Sequence, residues 1–247
     1  MLDLFYLKKI KRTPLIPKYD DVFLHIKGKL GLEIGGPSNI FKKNGPIPIY
    51  PYAKRIDGCN YSSKTVWQGK INAGRTYSYT KSRASGYQYI SDGTELDKIE
   101  TGSYDFLLAS HCLEHISNPI KALKEWMRVI NENGIILLIL PDQRHTFDHK
   151  RDVASLEHLI SDYDNNVGED DLTHLDEILE RHDLSMDLEA GDIDSFRKRS
   201  LKNFENRCLH QHVFDKELIC NMVKYLKYDL SFTTFESPYH IISMIKK

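Results

Sequence analysis

Residues 33–38, Glu33-Ile34-Gly35-Gly36-Pro37-Ser38, break a short apolar run into a glycine pair. Glycine has no Cβ, so the backbone there can approach a ligand closely. The amide groups at a strand-to-helix turn also favour a negatively charged group. Asp57 lies twenty-one residues beyond Gly36, close to the spacing at which a second strand brings a carboxylate to ribose hydroxyls. Asp92-Gly93 is a third polar turn, suited to the rim of an adenine. Gly35, Gly36, Asp57, Asp92 and Gly93 are therefore expected to hold an adenosine-bearing cofactor.

Histidine is the side chain best matched to proton removal near neutral pH. His111, His145 and His149 are the candidate bases, with Asp148 beside the last two; the alternative for residues 141–151 is a polar loop with an Asp148–Arg151 surface pair. His111-Cys112-Leu113-Glu114-His115 also spells H-x-x-E-H, which on a helix would be a zinc-peptidase signature. Its place directly after a buried strand argues against that reading and gives Glu114 and His115 a structural role. His210-Gln211-His212 puts two imidazoles on one face of an extended segment. Hydrogen bonds to neighbouring loops are the expected use there, a metal site the alternative. The tyrosines between 77 and 89 could cover the adenine or the acceptor, or simply cap the edge of the core.

These groups need a frame, and the apolar pattern supplies one. Residues 30–34, 53–57, 87–90, 104–109 and 135–140 read as strands. Six consecutive aliphatic residues mark the last as central and buried on both faces. Residues 38–43 read as a short helix stopped by Asn44-Gly45-Pro46. Residues 119–130 read as a helix with Asn118 as N-cap and Pro119 at its first position. Alternation of this kind predicts an α/β doubly wound, mostly parallel sheet. Residues 231–235 and 239–245 close it as a strand–turn–strand tail around Ser237-Pro238, for seven strands in all. Residues 62–86 show no periodicity. Residues 148–205 are expected to be an acidic helical insertion or cap over the carboxyl edge, with Leu172, Leu175, Ile178 and Leu179 at helical spacing.

Composition narrows the partners. At 40% hydrophobic and 28% charged, with a net charge of −1, the chain is expected to be a globular protein that does not bind nucleic acid through a basic surface. Charge is unevenly spread: residues 161–194 hold thirteen Asp/Glu and one Arg, residues 1–29 seven Lys/Arg and three Asp. Residues 1–28 read as a basic lead-in with Pro14 and Pro17 as breakers, and 29–247 as one domain. Residues 1–12 lack a signal-peptide core, though a weak peripheral membrane contact there is possible, and no run is long enough for a membrane span. Four unpaired-looking cysteines, Cys59, Cys112, Cys208 and Cys220, suggest neither zinc nor disulfides and a cytoplasmic location.

With these residues in place, the line YDFLLASHCLEHISNPIKALKEWMRVINENGIILLILPD resembles the class I S-adenosylmethionine-dependent methyltransferases, over roughly residues 29–145. Its fourth strand ends in their Leu-Glu-His-Ile type of motif, Leu113–Ile116 here. The resemblance implies a Rossmann-like sheet, a small-molecule acceptor and S-adenosylmethionine as cofactor, with Glu33 and Ser38 joining the loop that holds it and Ser110 and His111 facing it from the end of the fourth strand. No metal is expected, although some sugar methyltransferases use a divalent ion. The segments THLDEILERHDL, RSLKNFENRCLHQHVFD and TFDHKR resemble a subgroup associated with bacterial surface-polysaccharide synthesis. That implies a small polar glycan precursor as acceptor, such as a nucleotide-linked sugar or a capsular phosphoramidate group, with Arg144, Lys150 or Arg151 available to a phosphate; the histidines around strands four and five point to O-methylation. One departure stands out: Pro37 replaces the second glycine and has no N–H to offer, so the Gly36 and Ser38 amides are expected to serve instead. A non-catalytic S-adenosylmethionine-binding module, a nicotinamide oxidoreductase (disfavoured by the missing third glycine) and a zinc metallopeptidase are the alternatives.

Overall fold

The computed structural model describes residues 19–80 and 85–247; most of the expected lead-in, with Pro14 and Pro17, lies outside them. In chain order the elements are α1 (Tyr19–Ile26), β1 (Leu30–Ile34), β2 (Arg55–Asn60), a small hairpin β3 (Lys64–Thr65) and β4 (Gly69–Lys70), β5 (Gly74–Tyr77), β6 (Gly86–Ile90) and β7 (Tyr104–Ser110). There follow α2 (Pro119–Val129), β8 (Ile130–Pro141), α3 (Leu156–Asp164), α4 (Leu175–Arg181), α5 (Ile193–Ser200), α6 (Asn203–Asn206), α7 (Lys216–Tyr225), β9 (Asp229–Glu236) and β10 (His240–Lys246).

The main sheet has the order β5-β6-β2-β1-β7-β8-β10-β9. The ladders from β6 through β8 are parallel, and β5, β10 and β9 pair antiparallel to their neighbours. β8 shows why the centre forms. Ile136, Leu138 and Leu140 enter the core shared with α2, α3 and α7, while Ile135, Leu137 and Ile139 enter the opposite core with α1 and residues 40–56. Side chains alternate between faces with period two, so a strand covered on both sides must be apolar throughout.

The sheet has eight strands, not seven. The added member is β5, which joins the edge at Gly74↔Gln88 and Tyr77↔Gly86. It is four residues long, starts on glycine and has two exposed residues, so it carries no periodic signal; pairing to β6 makes it a strand. β2 is also displaced: it runs from Arg55 to Asn60, with Ile34 opposite Cys59, and so ends three residues beyond Asp57. Residues 39–41 form only a 3-10 turn.

α2 begins where its cap directs. The Asn118 side chain accepts from the Lys121 amide at 3.0 Å, and Pro119 occupies the first turn. Its apolar stripe buries Ile120, Leu123, Trp126 and Met127. Trp126 is fully buried and donates from Nε1 to the Gly93 carbonyl at 2.8 Å, tying the helix to the third loop. Trp126→Ala is expected to lower stability by about 3–5 kcal/mol, read as the shift in a urea midpoint.

Residues 148–215 contain helices α3 to α6 and no strand. Ile178, Ala190, Phe196 and Leu209 make a small core there. Among the described residues no helix is long and apolar enough to cross a membrane.

Candidate functional site

The carboxyl ends of β1, β2, β7 and β8 open into a cavity of about 960 Å³, where a parallel sheet presents its ligands. β10 runs the opposite way, with His240 opposite Pro141, so the start of β10 reaches the same edge.

The first loop bends at Gly35, whose φ of +77° suits glycine. Gly35, Pro37 and Ser38 line the cavity. Glu33 lies beneath it, fully buried, accepting from Tyr77 Oη at 2.6 Å, Tyr50 Oη at 2.7 Å and the Ser38 amide at 3.0 Å. Burial pushes the Glu33 pKa up against these hydrogen bonds. Its carboxylate thus braces the loop from behind. The Ser38 amide is also within 2.7 Å of Tyr50 Oη, so it is committed inward and does not take the role expected of it beside Pro37. A Cβ on Gly36 would overlap the Glu33 carboxyl and the Tyr77 hydroxyl. Gly36→Ala is therefore expected to displace the loop, lowering both the melting temperature and affinity for the adenosine ligand, as differential scanning fluorimetry and calorimetric titration would show.

Asp57 does not reach the cavity. Its side chain is buried beside Arg55 at 3.0 Å, the Tyr87 amide at 2.8 Å and Tyr104 Oη at 2.9 Å. Because β2 continues past it, Asn60 and Tyr61 occupy the position expected of Asp57. Asn60 donates from Nδ2 to the Gly36 carbonyl at 3.1 Å. Asp57→Asn is expected to cost about 1–3 kcal/mol of stability and to leave adenosine-ligand affinity unchanged by calorimetry. A lost affinity in a folded variant would return Asp57 to the site.

Asp92 and Gly93 line the cavity as expected. Asp92 caps its own turn through Thr94 at 2.9 Å and meets Arg207 at 3.2 Å. Arg207, at φ +53°, also pairs with Glu169 at 2.7 Å and lies over the Tyr61 ring at 5.2 Å. The composition of residues 148–215 gave no hint that this cation reaches back to the sheet edge. Trp67, from the hairpin, closes the same side 5.1 Å from the His115 ring.

The opposite side is rich in imidazole: His111, His115, His145, His210 and His240 all line the cavity. His111 is held at φ +49°, a region a non-glycine residue enters only under constraint. Its amide bonds to the Ile139 carbonyl at 2.9 Å. Its Nε2 is 2.9 Å from His240 Nδ1, and its Nδ1 is 3.6 Å from Glu114 Oε1. Burial and the neighbouring His111 push His240 down to about 4. His145 stacks 5.0 Å from Phe235. His149 does not join them; it turns out to Asp183 at 3.5 Å.

Glu114 is buried, and neither carboxylate oxygen has a hydrogen-bond partner. Burial raises its pKa, but His111, His115 and His210 outweigh that and hold it below the usual range. His115 Nδ1 bonds to the Leu209 carbonyl at 3.0 Å, and His210 Nδ1 to Asp148 at 2.5 Å. Glu114, His115 and His210 place ligand atoms within 4.8 Å of one another. The H-x-x-E-H stretch is a 3-10 turn over Leu113–His115, preceded by the left-handed His111. Its two histidines therefore do not share a helical face, and the peptidase geometry is not formed.

The three cations expected to hold a phosphate are engaged elsewhere. Arg144 makes a two-pronged bond to Asp142 at 2.9 and 2.6 Å. Lys150 pairs with Asp183 at 3.1 Å, and buried Arg151 pairs with Asp148 at 3.1 Å. None of them lines the cavity.

Residues 48–138 match a family model described as a methyltransferase domain. No curated protein matches. Among solved structures, an S-adenosylmethionine-dependent methyltransferase from Mesorhizobium loti aligns over 93% of this chain and 95% of its own at 8% identity, with a TM-score of 0.52. One from Methanosarcina mazei aligns over 94% and 99% at 11% identity, with a TM-score of 0.48. The 1,6-didemethyltoxoflavin-N1-methyltransferase of Burkholderia thailandensis, with bound 1,6-didemethyltoxoflavin and S-adenosylhomocysteine, covers 98% and 80% at 8% identity, with a TM-score of 0.47. The first of these shares the fold, and the family match lies over residues 48–138: the chain carries a methyltransferase domain on a Rossmann-like sheet.

Proposed function

We propose that this enzyme O-methylates a small polar precursor of a bacterial surface polysaccharide, such as a nucleotide-linked sugar or a capsular phosphoramidate group. The observation that carries the oxygen acceptor is the contact between His111 and His240 at 2.9 Å, with Glu114 behind it. An alcohol must lose its proton as its oxygen attacks, whereas a neutral amine needs less help. The polysaccharide setting rests on the resemblance of residues 146–151, 173–184 and 199–215 to that subgroup.

The cavity fits the cofactor. Gly35 and Gly93 bring bare backbone to its wall, Asn60 and Asp92 offer polar groups for a ribose, and Tyr61 and Trp67 offer aromatic faces for a base. S-adenosylmethionine, when bound, supplies a sulfonium methyl group already activated for in-line displacement, so alignment is the larger part of catalysis. Glu114 faces His111 Nδ1 and favours the proton there. His111 Nε2 is then free to accept from His240 Nδ1, and His240 Nε2 takes the acceptor's proton. The low pKa of His240 keeps that nitrogen unprotonated at neutral pH. His145 borders the same space and orients the acceptor.

A second reading is favoured by the unpartnered Glu114 carboxylate. A divalent cation on Glu114, His115 and His210 would polarise the acceptor hydroxyl. The carbonyl of Leu209 and the carboxylate of Asp148 already hold both Nδ1 protons, leaving each Nε2 lone pair for a metal.

The test is a methyl-donor assay against fractionated extracts and synthetic nucleotide sugars, with product mass measured. Gain of one methylene unit at a hydroxyl supports the proposal; transfer only to amines sinks it. Repeating the assay after chelation decides between the two readings.

A further inference from the structure

A second group of histidines lies away from the cavity. α3 carries His158 and Asp162 one turn apart on one face. His174 stands at the start of α4, and His212 comes from the extended segment before α7. One ligand atom from each lies within 4.8 Å of all the others. His158 Nε2 is 3.0 Å from His174 Nε2 and 3.3 Å from Asp162 Oδ2. These separations match the spacing of about 3.4 Å between ligand atoms that a tetrahedral zinc with bonds of about 2.0–2.1 Å requires.

Two observations point to something missing from this cluster. His212 is 2% exposed and Asp162 is 8% exposed, yet His212 Nδ1 and Asp162 Oδ2 have no hydrogen-bond partner. Buried polar atoms are rarely left so. His212 Nε2 is bound to the Ser117 carbonyl at 3.1 Å. That bond puts the proton on Nε2, which also lies 3.5 Å from Asp162 Oδ2, and leaves the Nδ1 lone pair unpartnered, as a carbonyl partner does for a metal-ligating imidazole. A pocket of about 280 Å³ lined by His158, His174 and His212 opens beside them, giving an ion a way in.

We propose that His158, Asp162, His174 and His212 bind one divalent ion, zinc by preference, as a structural site. Three imidazoles and one carboxylate with no open position suit a closed tetrahedral centre. The ion joins α3, the start of α4 and the segment carrying His212 across an acidic stretch. Asn118 Nδ2, which donates to the Asp162 carbonyl at 3.1 Å, extends the connection to the start of α2. The site shares no ligand with Glu114, His115 and His210, and it stands whether or not the acceptor is an alcohol.

The full chain, purified without a metal-affinity step and stripped with chelator, is titrated with zinc by calorimetry and with cobalt by absorbance. Tight uptake of zinc and a visible tetrahedral cobalt spectrum are expected, with a higher melting temperature in the zinc form. His174→Ala and Asp162→Asn should lose that cobalt spectrum, and Glu114→Gln should keep it. The proposal is overturned if the stripped wild type takes up no zinc, or if its cobalt spectrum is not tetrahedral. It is equally overturned if the spectrum survives His174→Ala and Asp162→Asn or disappears with Glu114→Gln. Should one variant fail to fold by circular dichroism, the wild-type cobalt spectrum and the other variant decide.

Discussion

His111→Ala is expected to lower kcat by about 10²–10⁴-fold while affinity for S-adenosylmethionine stays close to wild type. The side chain is part exposed in the cavity wall, and its contacts run to His240 and Glu114, not into the sheet core. Removing it breaks the link between the carboxylate and His240. Alanine keeps the Cβ that makes the left-handed backbone at position 111 costly, so the strain there remains, and His111→Gly, which relieves it, serves as the control for folding. His240→Asn should share the defect, and the double variant should be little worse than either single one, because residues acting as a unit are not additive. Single-turnover kinetics beside calorimetric titration of S-adenosylmethionine would check this. An unchanged kcat with intact binding would move the base to His145.

Asp148→Ala is expected to destabilise the protein by about 3–5 kcal/mol. Asp148 is buried between Arg151 at 3.1 Å and His210 at 2.5 Å, and Arg151 also donates to the His210 carbonyl at 2.8 Å. Without the carboxylate, the buried Arg151 guanidinium loses its ionic partner and the His210 Nδ1 proton its acceptor. Burial raises the Asp148 pKa, but His210 and Arg151 outweigh it and hold it down at about 2, against 3.8 in the unfolded chain. A depressed carboxylate stabilises the fold above its unfolded pKa, and that contribution, about 2 kcal/mol, fades as pH falls from about 4 to 2. For His210 burial opposes the charge, but Asp148 wins and raises the pKa above 6.5. That contribution is complete below 6.5 and is lost as pH rises through the raised value. Urea unfolding from pH 2 to 9 should therefore show greatest stability between about 4 and 6.5, and Asp148→Asn should flatten both limbs. An unaltered profile in that variant would mean that the pair does not control stability.

The readable parts of the sequence were those where local chemistry leaves one option. Asn118-Pro119 can only open a helix, and it does. The aliphatic run in β8 can only be a strand covered on both faces. Gly35 and Asp92-Gly93 mark turns because a backbone must bend there. Asp57 misled because its distance from Gly36 fits a ribose clamp, whereas its place depends on where β2 ends, and pairing with β1 and β6 carries that strand to Asn60. Glu33 and Ser38 sit in the right loop, yet Tyr50 and Tyr77, distant in sequence, turn their polar groups inward.

The histidines divide the same way. Their abundance pointed to proton transfer, but nothing in their spacing distinguished His240, which reaches the site because β10 runs antiparallel to β8, from His149, which turns away to Asp183. Sequence alone determined the sheet's buried centre, its helix starts and the turns that line the cavity, since each follows from a few consecutive residues and their burial. Only the tertiary structure decided which imidazoles, carboxylates and cations share a space, because hydrogen bonds and ion pairs between residues a hundred positions apart depend on strand order and direction, which no local pattern encodes.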